Sequence, residues 1–481
     1  MRNHLTILLL GLILSHFVFG QHIYFSNRYD FKGQCSSGSN AIAIISNGYL
    51  VAAEVDSDCA YGKIGLMQLD STGNKKWQKV YGGGTHSYTC SDVINVTSGN
   101  YVFTGSKDSG IIILKFNNVG DSIWSRTFFD PLNYLGVSRC ILTKDKAILL
   151  VGIAQGKKNS LYQVLVIKID SVGNTKWRKI FSSSGNDFGY SIDTTSDGGY
   201  IVGAGWNSPQ LIKLDSSGNV KWIYSYPASG FAGVTSLKEG GYAFSTNKDS
   251  SNYSEMDIIK VDSNGKLLWN FGYSPYASTS MTGPNCGVVE MNDYTLITAG
   301  QIKDNNATDG SVMRVDSSGK LIWYRNYRKV VGATSANYLR DCKTTLDGGI
   351  VASGFCSPTS SQDTGLEDVW VLKIDSNGCD SIGLCSTSPN LNASVQELNT
   401  HSNIIHVYPN PNNGIFTVIT QEDMCAARIE IYNMLGQIIY KRTLKKVNTE
   451  IRLDGQSIGV YLYRVISEKG EYIASGKLIV Q

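Results

Sequence analysis

One ten-residue phrase recurs seven times along this chain, and a repeat of that kind narrows the available folds more than any other feature of the sequence. The clearest copy is KLDSSGNVKW, ending at Trp222. Its relatives are QLDSTGNKKW (to Trp77), KFNNVGDSIW (to Trp124), KIDSVGNTKW (to Trp177), KVDSNGKLLW (to Trp269) and RVDSSGKLIW (to Trp323). A seventh, KIDSNGCDSI, begins at Lys373 and has Ile382 in place of the Trp. The Asp or Asn positions 70, 117, 170, 215, 262, 316 and 375 lie 45 to 59 residues apart. A second motif precedes each copy, as in SNGYLVA, SDGGYIVGAG and LDGGIVASG. In the fourth unit, apolar runs at 190–194, 200–204 and 211–214 and a last run through Trp222 read as four strands. The turns between them, SDGG and DSSGN, carry glycines that supply positive φ. Four short antiparallel strands per period predict an all-β chain, with a seven-bladed β-propeller over 21–385. A parallel β-helix has shorter coils and lacks this antiparallel turn spacing.

The ends of the repeat region predict how it closes. Six copies carry an aromatic four residues after the Trp: Trp77/Tyr81, Trp124/Phe128, Trp177/Phe181, Trp222/Tyr226, Trp269/Tyr273 and Trp323/Tyr327. The seventh lacks this strand, but Phe25 and Tyr29 near the N-terminus have the same spacing. The strand FSNRY is therefore expected to complete the last blade, leaving no edge unpaired. The tryptophans read as core between blades, where each buried aromatic contributes a few kcal/mol.

Export is written at the N-terminus. Arg2 and His4 precede an apolar run from Leu5 to Phe19, and Val-Phe-Gly before Gln21 suits signal peptidase. The run is shorter than the roughly 20 apolar residues of a membrane anchor. Residues 1–20 thus read as a cleaved signal peptide, with no transmembrane segment left in the mature chain. Lys plus Arg (43) nearly balance Asp plus Glu (40), so no nucleic-acid partner is expected.

In a four-stranded blade the loops between strands two and three, and between blades, share one face. Here those loops vary and are rich in Tyr, Ser, Asn and Gly, a composition suited to adaptable contacts on a rigid scaffold. Tyr88, Tyr134, Trp206, Phe231, Tyr253, Tyr276 and Tyr338 are the ligand-face candidates. The catalytic inventory is thin. After residue 20 the histidines are His22, His86, His401 and His406, and only His86 falls in a variable loop. Glu255, Asp257, Asp309 and Glu367 are loop carboxylates from which a glycosidase pair could be assembled. Each DSxGN turn offers one carboxylate where calcium wants six or more oxygens, so neither a metal nor a cofactor is implied.

The chain has 10 cysteines. Cys140, Cys286 and Cys342 fall where other repeats have Val93, Ile192 and Val234, and so read as buried small hydrophobes. Cys35 and Cys59 flank the SNG turn symmetrically, and Cys379 and Cys385 bracket a short loop. Disulfides are expected at Cys35–Cys59 and Cys379–Cys385; Cys90, Cys356 and Cys425 stay unassigned.

Two enzyme families have similar turns. The repeat resembles the Asp-boxes of sialidases, which are one or two residues tighter than Asp215, Gly218 and Trp222. It also resembles the Asp…Thr-Gly…Trp repeat of quinoproteins, whose cofactor site uses adjacent cysteines that this chain lacks. Both likenesses are to a hairpin and not to a site.

After a polar linker at 386–403 the composition changes. Segments IIHVYPNPNNGIFTVIT, ARIEIYNMLGQIIYKRTL and GVYLYRVISEKGEYIASGKLIVQ read as alternating strands of a small β-sandwich over 404–481. The YPNP…G start, the IYNMLGQ middle, the GVYLYRV strand and the terminal KLIVQ resemble the type A C-terminal sorting domain of Bacteroidota type IX secretion cargo. That resemblance implies partners in the type IX translocon and a sortase-like protease that removes the domain. It implies attachment to the outer-membrane surface or release. By motif position, Tyr408, Pro409, Asn410, Pro411, Gly414, Asn433, Gly436, Gly459, Tyr461, Gly470 and Lys477 would carry recognition or its fold. The sequence thus predicts a secreted or cell-surface protein, non-catalytic and binding an extracellular glycan or protein, with a secreted carbohydrate-active enzyme as the alternative.

Overall fold

The computed structural model describes residues 23–481 except 32–35, 58–60, 159–160, 182–185, 206–207, 250–253, 275–285, 305–306, 333–334, 358–366, 382–391, 395–404, 421–426, 434–436, 445–446, 454 and 467–471. The described residues form strands and turns, with no helix long and apolar enough to cross a membrane. Two compact units divide at 394/395.

In the first unit, the described residues make seven four-stranded antiparallel sets. Sheets 1 to 6 span 36–81, 88–128, 133–181, 188–225, 229–274 and 289–327. Sheet 7 takes three strands from 336–374 and its fourth from Phe25–Tyr29. That N-terminal strand pairs in the register expected from its spacing, with Phe25 opposite Lys373 and Tyr29 opposite Val369. A single parallel bridge, Thr308 to Ala336, links sheets 6 and 7. Residues Asn392–Ser394, read from sequence as linker, instead add a fifth strand to sheet 5 against Gly272–Ser274.

The strand sequences follow from packing. Third strands such as Asp368–Ile374 are buried along their whole length. Covered on both faces, they are apolar on both, broken in this one near the end by a buried basic residue, Lys373. Fourth strands such as Val220–Ser225 are mostly exposed and keep little beyond the Trp partly covered. Each sheet shares an apolar cluster with the next: 1 with 2, 2 with 3, 3 with 4, 4 with 5, 5 with 6 and 6 with 7. A seventh cluster joins Val351, Val369 and Val371 of sheet 7 to Met67 and Leu69 of sheet 1, with Phe25 and Tyr29 between them.

At every seam the repeated phrase does the same task. The turn Asp caps its own loop: Asp215 Oδ1 accepts from Ser217 N (2.8 Å) and Asn219 N (2.9 Å), while Gly218 holds φ +80°. That glycine lies against the Trp of the preceding sheet, since a Cβ on Gly218 would sit 2.9 Å from the Trp177 ring. Where the aromatic four residues on is Tyr, its hydroxyl donates to the equivalent glycine carbonyl; Phe128 and Phe181 make no such bond. Tyr226 bonds Gly265 O (2.8 Å), Tyr327 bonds Gly378 O (2.6 Å), and Tyr81 and Tyr273 reach Gly120 and Gly319. Phe25 packs where a Cβ of Gly73 would go, and Tyr29 donates to Gly73 O (2.5 Å), so the N-terminal strand repeats the pattern.

Two glycine substitutions separate strain from packing. Gly218→Ala meets both positive φ and the Trp177 ring; Gly198→Ala, at φ +79°, meets open space. Gly198→Ala should cost about 1 kcal/mol of unfolding free energy in urea, and Gly218→Ala about 1–3 kcal/mol more. Equal losses would mean the turn glycine does not seat the Trp.

Candidate functional site

The first strands of six sheets surround a cavity of about 390 Å³, lined by residues 92–95, 139–142, 191–194, 233–234, 287–289 and 341–343. Bulges at Cys90/Asp92, Val137/Arg139, Gly189/Ser191 and Leu339/Asp341 re-aim equivalent side chains. From three of these positions a sheet clasps the next. Asp92 Oδ2 accepts from Cys140 N (2.9 Å), Ser191 Oγ from Val234 N (2.7 Å) and Asp341 Oδ2 from Ile42 N (3.0 Å). Arg139 bridges Asp92 at 3.5 Å and Asp341 at 3.4 Å, and Lys343 adds a bond to Asp341 at 2.8 Å. Burial pushes both carboxyls up. At Asp341 the Arg139 and Lys343 charges outweigh it and hold the group below its ordinary value, whereas at Asp92 burial prevails. These charges are spent on one another and on backbone N–H groups. They form a clasp between sheets. Sequence reading missed them because the equivalent positions Ala41, Asp92, Arg139, Ser191, Gly233 and Asp341 hold five different residue types, so no motif marks them.

The sequence-predicted ligand-face residues have different fates. Tyr88 is 7% exposed and packs in the seam between sheets 1 and 2, so it is core and not a free contact. Tyr338 is half-buried and stacks on Phe355 with centroids 4.6 Å apart. Trp206, Tyr253 and Tyr276 lie outside the described residues, as does the side chain of Phe231. Tyr134 is 49% exposed and has unforeseen company in Phe129 (62%) and Leu132 (66%). The Lys157 ammonium sits 5.0 Å from the Phe129 ring and 5.1 Å from the Tyr134 ring. The loop beneath is braced: Arg178 pairs with Asp130 (2.6 Å), whose Oδ1 accepts from Leu132 N (2.8 Å), and Lys157 N donates to Leu132 O (3.0 Å). This ordered connector between sheets 2 and 3 holds three large apolar groups in water.

Of the loop carboxylates, the side chain of Glu255 lies outside the described residues. Arg328 binds Asp309 through both oxygens (2.5 and 2.8 Å), and Asp257 is buried. His86 pairs with Asp108 at 2.7 Å. Among the described residues no group of three or more His, Cys, Asp or Glu is placed to hold a metal ion. Cys140, Cys286 and Cys342 are buried, as expected. Cys379 is disulfide-bonded; Cys35, Cys59 and Cys385 lie outside the described residues.

In the second unit, strands Ile405–Tyr408, Ile415–Thr420 and Asn448–Arg452 form one sheet. Ile438–Thr443, Arg428–Tyr432, Gly459–Ile466 and Tyr472–Val480 form another, over a shared core. The YPNP and GVYLYRV motifs meet the last strand directly, and IYNMLGQ lies one strand further in, against GVYLYRV. Asn410 Nδ2 donates to Lys477 O (2.6 Å) and its Oδ1 accepts from Ile479 N (2.8 Å), between cis bonds at Tyr408–Pro409 and Asn410–Pro411. Lys477 pairs with Leu462, which also faces Tyr432. Asn433 Oδ1 caps its loop through Gln437 N (3.0 Å), Tyr461 is buried and bonds Ser457 O (2.6 Å), and Gly414 has φ +88°. Tyr408 and Lys477 are exposed, Gly459 opens a strand, and Gly436 and Gly470 lie outside the described residues.

Residues 406–481 match the family described as "Secretion system C-terminal sorting domain". The chain is a type IX secretion cargo. Its tail directs it to the cell surface or the medium. No curated protein matches the cargo. A solved structure, a protein of unknown function from Bacteroides caccae, is 11% identical with TM-score 0.38, covering 61% of the cargo and 94% of that chain.

Two outcomes follow. Phe129→Ala and Tyr134→Ala should each change unfolding free energy by under about 0.5 kcal/mol, and Tyr88→Ala should cost about 3–5 kcal/mol in the same urea titration. In the tail, the Tyr432 hydroxyl and then Arg464 hold the Glu430 carboxyl down to about 2. A depressed carboxyl stabilises above its unfolded value and loses that contribution as pH falls. The melting transition missing from a chain lacking 404–481 should therefore drop as pH falls from about 4.5 to 2, and Glu430→Gln should flatten that slope.

Proposed function

We propose that the cargo is a surface-displayed or released binding protein, a seven-bladed β-propeller that engages an extracellular glycan or protein without chemistry. The seven shared clusters, the last between sheets 7 and 1, support the closed ring. In this reading residues 1–20 are a signal peptide removed at the inner membrane. The type IX translocon then passes the folded chain, and a sortase-like protease removes the tail before surface attachment or release.

The observation that carries the binding reading is the Phe129, Leu132 and Tyr134 cluster with Lys157 between two of its rings. Apolar area held in water on a braced loop costs solvation with no return inside the monomer, and such patches mark contact surfaces. Flat rings beside an ammonium suit the apolar face and hydroxyl rim of a sugar, or an aromatic anchor on a protein.

Two measurements test this. The exported protein, applied to a glycan array and to host and bacterial surface proteins, should bind saturably without turnover. Phe129→Ala/Tyr134→Ala should weaken that binding at least about tenfold, the loss of roughly 1.4 kcal/mol. Full binding by that variant, or hydrolysis of a bound glycan, would overturn the reading. Deleting 404–481 should strand the repeat unit in the periplasm, seen by fractionation and surface labelling.

A further inference from the structure

Sheet 6 has an unusual inner edge. Its first strand is only Val289–Glu290, 2 residues, where the counterpart in sheet 7, Ala336–Thr344, has 9 and those of sheets 1 to 3 have 10 each. So short a ladder leaves 286–288 outside any strand. Cys286 does the holding instead. Its backbone N donates to Ala299 O (3.2 Å), and its Sγ accepts from Ala299 N (3.0 Å). Its carbonyl takes the hydroxyls of Ser245 (3.1 Å) and Thr298 (3.2 Å).

Directly across the seam, on the first strand of sheet 7, is Cys342, with its Sγ 2.9 Å from that of Cys286. Both are buried in the core shared by sheets 6 and 7. Cys140 occupies the equivalent repeat position in sheet 3, and there Sγ only accepts from Thr104 Oγ1 at 3.6 Å. The cysteine pair thus lies at the one seam among the described residues where the inner strand is this short.

We propose that Cys286 and Cys342 are oxidised to a disulfide when the cargo is exported, stapling sheet 6 to sheet 7. Each thiol gives up a proton, the pair gives up two electrons, and an Sγ–Sγ bond forms. The electrons pass to the disulfide of an envelope thiol–disulfide oxidant, which takes up two protons and leaves as a dithiol. Because both sulfurs are buried in the folded unit, exchange precedes final packing of the seam. An extracellular compartment then preserves the bond. Nothing in this step depends on what the propeller binds.

The test uses protein recovered after export, denatured in guanidinium without reductant so that burial protects no thiol, then alkylated and digested. The expected result is a cross-linked peptide pair carrying Cys286 and Cys342, with Cys90, Cys140 and Cys356 alkylated. Alkylation of Cys286 and Cys342 before reduction, or either one joined to a different cysteine, overturns the proposal. Hydrogen exchange on the same protein before and after reduction reads the stapling itself. Amides around 286–290 should exchange at least about tenfold faster once reduced. Unchanged exchange would refute the staple even with the bond present.

Discussion

The repeat unit depends on one contact made again at each seam: an aromatic ring, an indole at six seams and Phe25 at the one between sheets 7 and 1, laid over a turn glycine of the next sheet. Neither partner works alone. The glycine needs positive φ to close the Asp-capped hairpin, and its missing side chain leaves the gap that the ring fills. Where the aromatic four residues later is Tyr, it fixes the ring's strand by donating to the same glycine's carbonyl. A local turn requirement and a long-range packing requirement thus fall on one residue. This is why the phrase recurs with so little variation while the loops beside it drift.

Among the first strands the logic is reversed. Chemically unrelated side chains, Asp92, Ser191 and Asp341, each accept an N–H from the neighbouring sheet. Any acceptor of suitable length can make that bond, so the position tolerates variety. Arg139 offsets the buried carboxylates and reaches two of them, which keeps the charges compensated at the centre.

This contrast explains what could be read in advance. Strand positions in the fourth unit, the Trp seams, and the pairing of Phe25–Tyr29 with the last repeat were legible because turn chemistry and period-two alternation mark them directly. The sorting tail was legible because its four motifs follow one another in order along 404–481. Tyr88 was misread: it opens a first strand, and a loop-like neighbourhood in sequence gave no sign that its ring turns into the seam. Phe129 and Leu132 went unnoticed because exposure on a braced connector leaves no periodic trace. The bulges that aim Asp92 and Arg139 were also invisible, since one extra residue in a strand looks the same as none. The meeting of Cys286 with Cys342 depends on the seam geometry and not on their spacing.

Strand Phe25–Tyr29 also sets a timetable. Arg28 pairs with Asp368, 340 residues further along. Synthesis runs from the N-terminus, so this segment is among the first made and the last to find its partner. Loop closure over such a span is entropically slow compared with forming the hairpins between. The intermediate sheets can therefore form while the first stays open at its outer turn, with Gly73 lacking the ring and hydroxyl that later cover it. Completion becomes a single late event, one that couples the earliest residues of the repeat unit to its latest.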